Sequence, residues 1–187
     1  MYTISDLKVG TVINHDGAPY QIMKAEHSKQ ARSAAVLRVK MRNLATGQVL
    51  DKTFQQSDSV EPADMEKKEA NFQYSDDSGF IFMDNETYDQ FTLDHEAVGG
   101  YKNYIKEGED ITVDYFDGKP IGISLPVKVE LKVVESPPGI KGDSASNVTK
   151  KVKLETGYEV PVPLFVKEGD KIRVNTDTGE YVERVAE

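Results

Sequence analysis

The sequence predicts an all-β protein built from small barrels. Short apolar or alternating runs are separated by turn signals, the clearest being Asp16-Gly17, Thr46-Gly47, Asp117-Gly118 and Thr178-Gly179. The sequence has no long stretch with the 3.6-residue periodicity of a helix. About five short strands in each third of the chain favour closed barrels, which leave no sheet edge open to other chains.

Residues 35–42 carry the clearest strand pattern. Three apolar residues alternate there with three basic ones: Leu37, Val39 and Met41 with Arg38, Lys40 and Arg42. A period of two places the apolar set on a core face and the basic set on the opposite face. Taken alone, the pattern favours an ordinary solvated strand face, because exposed charges on strands are common.

Breaks in the strand pattern predict three domains, 1–64, 65–128 and 129–187. The first boundary follows Glu61-Pro62, and the second falls inside a strand-like run at 127–134 that crosses it. Further strands are expected at 71–74, 80–83, 111–116 and 121–125, and then at 148–154, 172–175 and 181–185. A short helix is expected within 86–97.

The charge is unevenly distributed along the chain. The net charge is −9, and residues 65–128 alone hold 14 acidic and 6 basic groups. Residues 24–52 hold seven basic groups and only two acidic ones. This local excess of positive charge is the part of the chain that suits phosphate groups, because Lys and Arg supply most of the affinity for nucleic acid.

Composition excludes several classes of protein. The chain has no apolar run long enough to cross a membrane and no signal peptide, so a cytoplasmic protein with no membrane partner is expected. Cysteine is absent, which excludes disulfides and thiolate metal sites. The three histidines, His15, His27 and His95, lack ligand-like spacing, so neither a metal nor a cofactor is expected.

A projecting loop is predicted at residues 26–33, between strands at 20–25 and from 34 onward. It has few apolar side chains to pack, and it places Lys29 and Arg32 at the tip of a two-stranded arm. Most such tips are solvated surface, although functional residues do occur on loops more often than on the scaffold.

The last third carries a more specific signal. Residues 150–169 resemble the signature of the elongation factor P family, with Val152 in place of the usual alanine. Residues 136–145 resemble the family's Pro-Pro-Gly-x-Lys-Gly-Asp-Thr-Ala loop, and residues 178–184 resemble its C-terminal hairpin. Residues 40–54 match as well, so the resemblance spans the chain.

The resemblance implies a KOW-type (SH3-like) barrel followed by two OB-type barrels, in an L-shaped arrangement like that of tRNA. It also implies a monomeric translation factor that binds ribosomal RNA between the P and E sites and positions peptidyl-tRNA when consecutive prolines stall synthesis. Such a factor is not an enzyme. Residues Gly142, Asp143 and Ser144 correspond to the family's loop near the small subunit and the E-site codon.

The tip of the first domain departs from the commoner family pattern. Counting back from Arg38, the presented position falls on Arg32, where many members have a lysine between two glycines, whereas here the neighbours are Ala31 and Ser33. This resembles the arginine branch, whose tip is modified by an arginine rhamnosyltransferase, or the elongation factor P-like paralogue, whose arginine acts unmodified. Lys29, Ser33, Arg38, Lys40 and Arg42 are expected to support the RNA contact.

Two other classes of function fit the sequence less well. An OB-type binder of single-stranded nucleic acid would use stacking aromatics beside a basic groove. The candidate aromatics are Phe72, Tyr74, Phe80, Phe82, Tyr115 and Phe116, but they lie in the acidic third, which repels phosphate. An enzyme is disfavoured because no nucleophile–base set, phosphate-binding loop or metal cluster is evident.

Overall fold

The computed structural model describes residues 1–28, 35–138 and 148–185. Strands dominate these ranges, which confirms the all-β prediction. The elements in chain order are β1 (Val12–His15), β2 (Ala18–Ser28), β3 (Val36–Asn43), β4 (Val49–Gln55), β5 (Glu61–Pro62), β6 (Met65–Asp76), β7 (Gly79–Asp84), β8 (Gln90–Leu93), α1 (His95–Val98), a 3₁₀ turn (Gly99–Asn103), β9 (Asp110–Phe116), β10 (Lys119–Ser124), β11 (Lys128–Glu135), β12 (Thr149–Leu154), β13 (Glu159–Pro163), β14 (Lys171–Asn175) and β15 (Tyr181–Arg184).

The strands form three five-stranded antiparallel sheets, and each sheet with the core that it covers is called a module below. The first module has the strand order β4-β3-β2-β1-β5. Strands β2 and β3 pair from Tyr20↔Asn43 to Ser28↔Val36, with a register shift at Met23 that marks a β-bulge. Its core consists of Ile4, Leu7, Ile13, Ile22, Leu37, Val39, Met41, Phe54 and Val60.

The second module has the order β10-β9-β6-β7-β8, and its edge strands β8 and β10 contact each other. The helix expected within 86–97 is mostly wrong, because residues 90–93 form strand β8. Phe91 pairs with Phe82 across the strands and stacks on its ring, with centroids 5.8 Å apart, a cross-strand contact that outweighs local preference. The helix begins only at His95, where the Asp94 carboxylate accepts a hydrogen bond from the Ala97 amide at 2.7 Å.

The third module has the order β13-β12-β11-β14-β15. Pro161 and Pro163 lie on β13, an edge strand, as their missing amide donors require. Gly157 and Gly169 adopt positive φ angles of 85° and 90°, which glycine tolerates and most other residues do not. Strand β11 begins at Lys128 and pairs only within this sheet, so the strand-like run at 127–134 belongs to the third module.

The same hairpin turn recurs once in each module, after β3, β7 and β14. A side-chain oxygen at the end of the first strand accepts hydrogen bonds of 2.7–3.1 Å from two backbone amides, and the three acceptors are Asn43, Asp84 and Asn175. A threonine hydroxyl accepts from the amide two residues on, at Thr46, Thr87 and Thr178. The next residue has a positive φ in every case, at Gly47, Tyr88 and Gly179.

The second and third modules share packing and hydrogen bonds. Tyr104, which follows the 3₁₀ turn of the second module, is buried in the core cluster of the third. Thr156 donates its hydroxyl to the backbone oxygen of Asn103 at 2.7 Å, and Thr176 donates to that of Pro126 at 2.8 Å. Both hydrogen bonds join a backbone carbonyl of the second module to a threonine side chain of the third.

Candidate nucleic-acid interface

The basic side chains predicted on β3 lie on one exposed face of the first module. Along β3, Leu37, Val39 and Met41 are at most 2% exposed, whereas the alternating Arg38, Lys40 and Arg42 are exposed. The strand therefore has the core face and the basic face that its period of two predicts. Its neighbours β2 and β4 flank the basic face on both sides.

Acidic groups on the flanking strands partly neutralise this face. Glu26 lies opposite Arg38, and Asp51 lies opposite Lys40. Glu26 also pairs with Lys24 at 2.5 Å, and this hydrogen bond lowers the pKa of the Glu26 carboxyl and raises that of the Lys24 ammonium. These are the same two acids that the sequence count for residues 24–52 includes, and the strand register places them against Arg38 and Lys40.

Arg42 occupies a different environment from Arg38 and Lys40. It lines a cavity of about 680 Å³ whose walls come from all three modules. Lys67 lines the same cavity, where it donates to Ser124 Oγ at 3.2 Å and lies 3.6 Å from Asp114 Oδ1. Ser124 in turn donates to Asp114 Oδ2 at 2.6 Å. Of the three basic side chains on β3, Arg42 is the one that lines this cavity, whereas Arg38 and Lys40 are not among its lining residues.

The two predicted loop sites lie outside the described residues. Lys29, Arg32 and Ser33 belong to the segment between β2 and β3, and Gly142, Asp143 and Ser144 belong to the segment before β12. The structure does describe the residues that flank these two segments. Ser28 pairs with Val36 at the end of the β2–β3 hairpin, and Ser136 donates its hydroxyl to the Val166 carbonyl at 3.1 Å.

The aromatic groove required by a single-stranded nucleic-acid binder is not formed by the candidate side chains. Five of the six are core residues with exposures of 8% or less: Phe72, Phe80, Phe82, Tyr115 and Phe116. Only Tyr74 among the six is exposed. The Phe72 ring contacts those of Phe80 and Phe82, and the Tyr115 ring contacts that of Phe91. The buried rings therefore stabilise the second module and offer no stacking platform.

The described part of the chain contains no cluster of three or more His, Cys, Asp or Glu side chains placed to hold a metal ion. No helix in residues 1–28, 35–138 and 148–185 is both long and apolar enough to cross a membrane.

Sequence reasoning missed two exposed aromatic side chains. Phe165 follows the edge strand β13 with 56% of its surface exposed, and the Arg184 guanidinium carbon lies 5.6 Å from its ring centroid. Tyr88 is 72% exposed on the turn of the second module. The motif Asn-x-x-Thr or Asp-x-x-Thr precedes Gly47, Tyr88 and Gly179, so the sequence itself indicates that Tyr88 lies on a turn of the same kind.

Family models match almost the whole chain in three consecutive parts. The elongation factor P KOW-like domain matches residues 3–60, the elongation factor P OB domain matches 65–123, and the elongation factor P C-terminal domain matches 129–184. The chain belongs to the elongation factor P family. The predicted KOW-type barrel followed by OB-type architecture is therefore confirmed, and so is the resemblance found in the sequence.

Individual relatives agree over their full length. Elongation factor P from Coprothermobacter proteolyticus is 44% identical over 185 residues, which cover 99% of this chain and 100% of the relative. Elongation factor P from Oleidesulfovibrio alaskensis is 44% identical over 184 residues, which cover 98% and 100%. A solved structure of eukaryotic translation initiation factor 5A from Methanococcus jannaschii, 18% identical, covers 66% of this chain and 90% of its own with a TM-score of 0.56, a likeness of fold.

Membership in this family makes the chain a translation elongation factor that interacts with the ribosome and has no enzymatic activity of its own.

Proposed function

We propose that the chain binds the ribosome between the P and E sites and relieves stalling at consecutive prolines by positioning the peptidyl-tRNA. The observation that carries the proposal is the match of all three modules to the elongation factor P family over the full chain. Three domains, 1–64, 65–128 and 129–187, act together in an L-shaped, tRNA-like monomer in the cytoplasm.

The physical basis of the effect is positioning. Proline is a rigid and poor nucleophile, so its reaction depends strongly on how the two substrates are held. Holding reactants in near-attack geometry lowers the barrier without any protein group entering the reaction, because the entropy of alignment is paid before the chemical step. The ribosome remains the catalyst, and the factor restricts the motion of the peptidyl-tRNA end.

The basic face supplies the contact of the first module with RNA. Arg38 and Lys40 are exposed side by side on β3, and charge-assisted hydrogen bonds to phosphate are among the strongest that side chains make. Glu26 and Asp51 on the flanking strands reduce the net charge of that face. This moderation limits binding to arbitrary RNA, since non-specific affinity rises with the number of phosphates neutralised.

Arg32 is the residue presented to the acceptor end of the peptidyl-tRNA, with Lys29 and Ser33 beside it. The assignment rests on the spacing from Arg38 and on the family pattern. A guanidinium offers five donors in a fixed fork, which suits RNA oxygens or attachment of a sugar by an arginine rhamnosyltransferase. The segment with Gly142, Asp143 and Ser144 approaches the small subunit near the E-site codon.

A pair of reporters in cells that lack their own factor tests the proposal. Wild-type chain should restore synthesis of a reporter with consecutive prolines and leave a proline-free reporter nearly unchanged. Arg32→Ala and Arg32→Lys should bind ribosomes but fail on the proline reporter, whereas the matched Lys29→Ala should lose less.

Two results would contradict these assignments. Equal effects on both reporters would remove the role in proline stalling. Full rescue by Arg32→Ala together with loss of rescue in Lys29→Ala would move the presented position to Lys29.

The intact mass of the protein from its native host, followed by peptide mapping of residues 24–40, tests the modification. Rescue by protein with an unmodified Arg32 would leave Arg32 as the tip and exclude a required rhamnose.

A further inference from the structure

The recurrent hairpin turn differs among the modules at one position. The residue with positive φ is Gly47 in the first module (74°) and Gly179 in the third (76°), but Tyr88 in the second (61°). The supporting hydrogen bonds are the same in all three turns, from the side-chain acceptor, the threonine hydroxyl and the backbone. The turn itself therefore requires nothing that tyrosine provides and glycine lacks.

Tyrosine is an unfavourable residue at such a position. Glycine adopts positive φ readily, and asparagine does so more easily than other residues, whereas a bulky side chain clashes with the backbone there. Such strained positions are concentrated at functional sites, so the strained backbone of Tyr88 indicates that its side chain has a functional role outside the turn.

The Tyr88 ring makes little contribution to its own module. It is 72% exposed, the largest exposed fraction among the aromatic side chains of the described residues. By contrast Phe82 and Phe91, on the two strands joined by this turn, stack on each other toward the core. A ring held out on a rigid turn loses little entropy on binding and covers a large area, which is why tyrosine is enriched at interfaces.

The surrounding charge selects the class of partner. Glu86 and Asp89 are exposed and lie two residues before and one residue after Tyr88 in the chain, and the buried Asp84 carboxylate accepts a hydrogen bond from the turn. Residues 84–90 contain no basic side chain, and the second module is the most acidic part of the chain. Such a surface repels phosphate but attracts arginine and lysine, which also bind the face of a tyrosine ring.

We propose that Tyr88, flanked by Glu86 and Asp89, is a contact residue of the second module for an Arg/Lys-rich surface of a ribosomal protein. The inference rests on the proposed ribosome binding and adds a contact with protein to the contacts with RNA. The tyrosine ring binds a guanidinium or ammonium group by its face, and the two carboxylates pair with neighbouring cations.

Binding of purified bacterial 70S ribosomes to single-residue variants tests the proposal. Tyr88→Asn and Tyr88→Gly remove the ring and relieve the backbone, so their Tm should equal or exceed that of the wild type. Their Kd for ribosomes should rise about tenfold, as for loss of a central interface residue. Tyr74→Ser, which removes another exposed tyrosine from the same module, is the matched control and should change Kd less than about twofold.

Photo-cross-linking from p-benzoylphenylalanine placed at position 88 identifies the partner. A cross-link to a basic ribosomal protein is expected, and a cross-link to ribosomal RNA, or none, would overturn the proposal. An unchanged Kd in both Tyr88 variants would overturn it as well. If wild-type chain itself fails to bind ribosomes, the proposed function fails; if wild type binds and Tyr88→Asn binds equally, only this inference fails.

Discussion

The rings of Tyr104 and Tyr158 meet edge to face across the junction of the second and third modules, with centroids 5.6 Å apart and an interplanar angle of 75°. Tyr104 belongs to the second module in sequence but to the core cluster of the third in packing. Such edge-to-face pairs add stability beyond the area they bury. The two modules are thus joined by a shared core and by the hydrogen bonds from Thr156 and Thr176.

Gly179 is closely packed against this pair, which predicts a difference between two glycine substitutions. Both Gly179 and Gly118 have positive φ, at 76° and 74°, so alanine costs about 1 kcal/mol of unfolding free energy at either. At Gly179 the added Cβ would lie 2.8 Å from the Tyr158 hydroxyl, whereas at Gly118 nothing lies within 4 Å. Gly179→Ala should therefore cost about 1 kcal/mol more than Gly118→Ala, because the ring must shift.

Urea denaturation followed by tyrosine fluorescence measures both losses, with equal slopes taken as the sign that only stability has changed. Equal destabilisation by the two substitutions would mean that the tyrosine pair moves aside with no loss of stability. In that case the pair would not stabilise the junction.

Asp84 makes the second module sensitive to acid. Hydrogen bonds from the backbone amides of Thr87 and Glu86 lower the pKa of its carboxyl below the ordinary 3.8. A lowered folded-state pKa gives stability that is present above the unfolded pKa and is lost as the pH falls through the folded pKa. Asn43 and Asn175 fill the same position in the other modules, so Asp84→Asn should keep the turn and remove this contribution.

Thermal unfolding from pH 7 to pH 2.5 provides the measurement. Wild type should lose its advantage over Asp84→Asn as the pH falls below about 4, where the carboxyl becomes protonated. Other carboxylates titrate equally in both proteins, so the difference between the two curves isolates Asp84. Parallel curves over the whole range would show that the Asp84 carboxylate is not preferentially stabilised in the folded state.

The basic face predicts a defined salt dependence of ribosome binding. Replacing Arg38 and Lys40 together by alanine should weaken binding and reduce the slope of log K against log salt by about 1.5, since each phosphate contact contributes about 0.7–0.9. Adding Arg42→Ala should change the slope less than the Arg38 or the Lys40 replacement does, because Arg42 lines the cavity between modules. Arg173→Ala is the control, since its guanidinium already binds Glu130 and Glu183.

Filter binding at several salt concentrations distinguishes the interpretations. An unchanged affinity and slope in the double variant would make the face an ordinary solvated surface. A full unit of slope lost on adding Arg42→Ala would show that the cavity is open to RNA.

Local patterns in the sequence were sufficient for most of the strands. The alternation along 36–43 is recognisable as a strand because it requires only that one face be buried. Strand β8 was not predicted, because it is recognisable only from its pairing with β7, and that pairing depends on the turn that begins at Asp84. The charge count included Glu26 and Asp51, but their positions opposite Arg38 and Lys40 depend on the register across strands, which the sequence does not show.

Contacts between modules were not predictable from the sequence. The cavity lined by Arg42, Lys67 and Asp114 joins residues far apart in the chain, and no local pattern predicts it. Tyr88 was detectable in principle, because the repeated turn sequence shows that tyrosine replaces a glycine. Its exposure and its backbone conformation, on which the inference depends, required the structure.

The central claim is that the factor accelerates peptide-bond formation at consecutive prolines through Arg32. Its most direct test is the rate of that step in a reconstituted translation system, on ribosomes stalled before a second proline and on matched ribosomes that accept phenylalanine. Wild-type chain should accelerate the proline step and leave the phenylalanine step unchanged, while Arg32→Ala should bind equally and accelerate neither. Equal acceleration of both steps, or full acceleration by Arg32→Ala, would contradict the account.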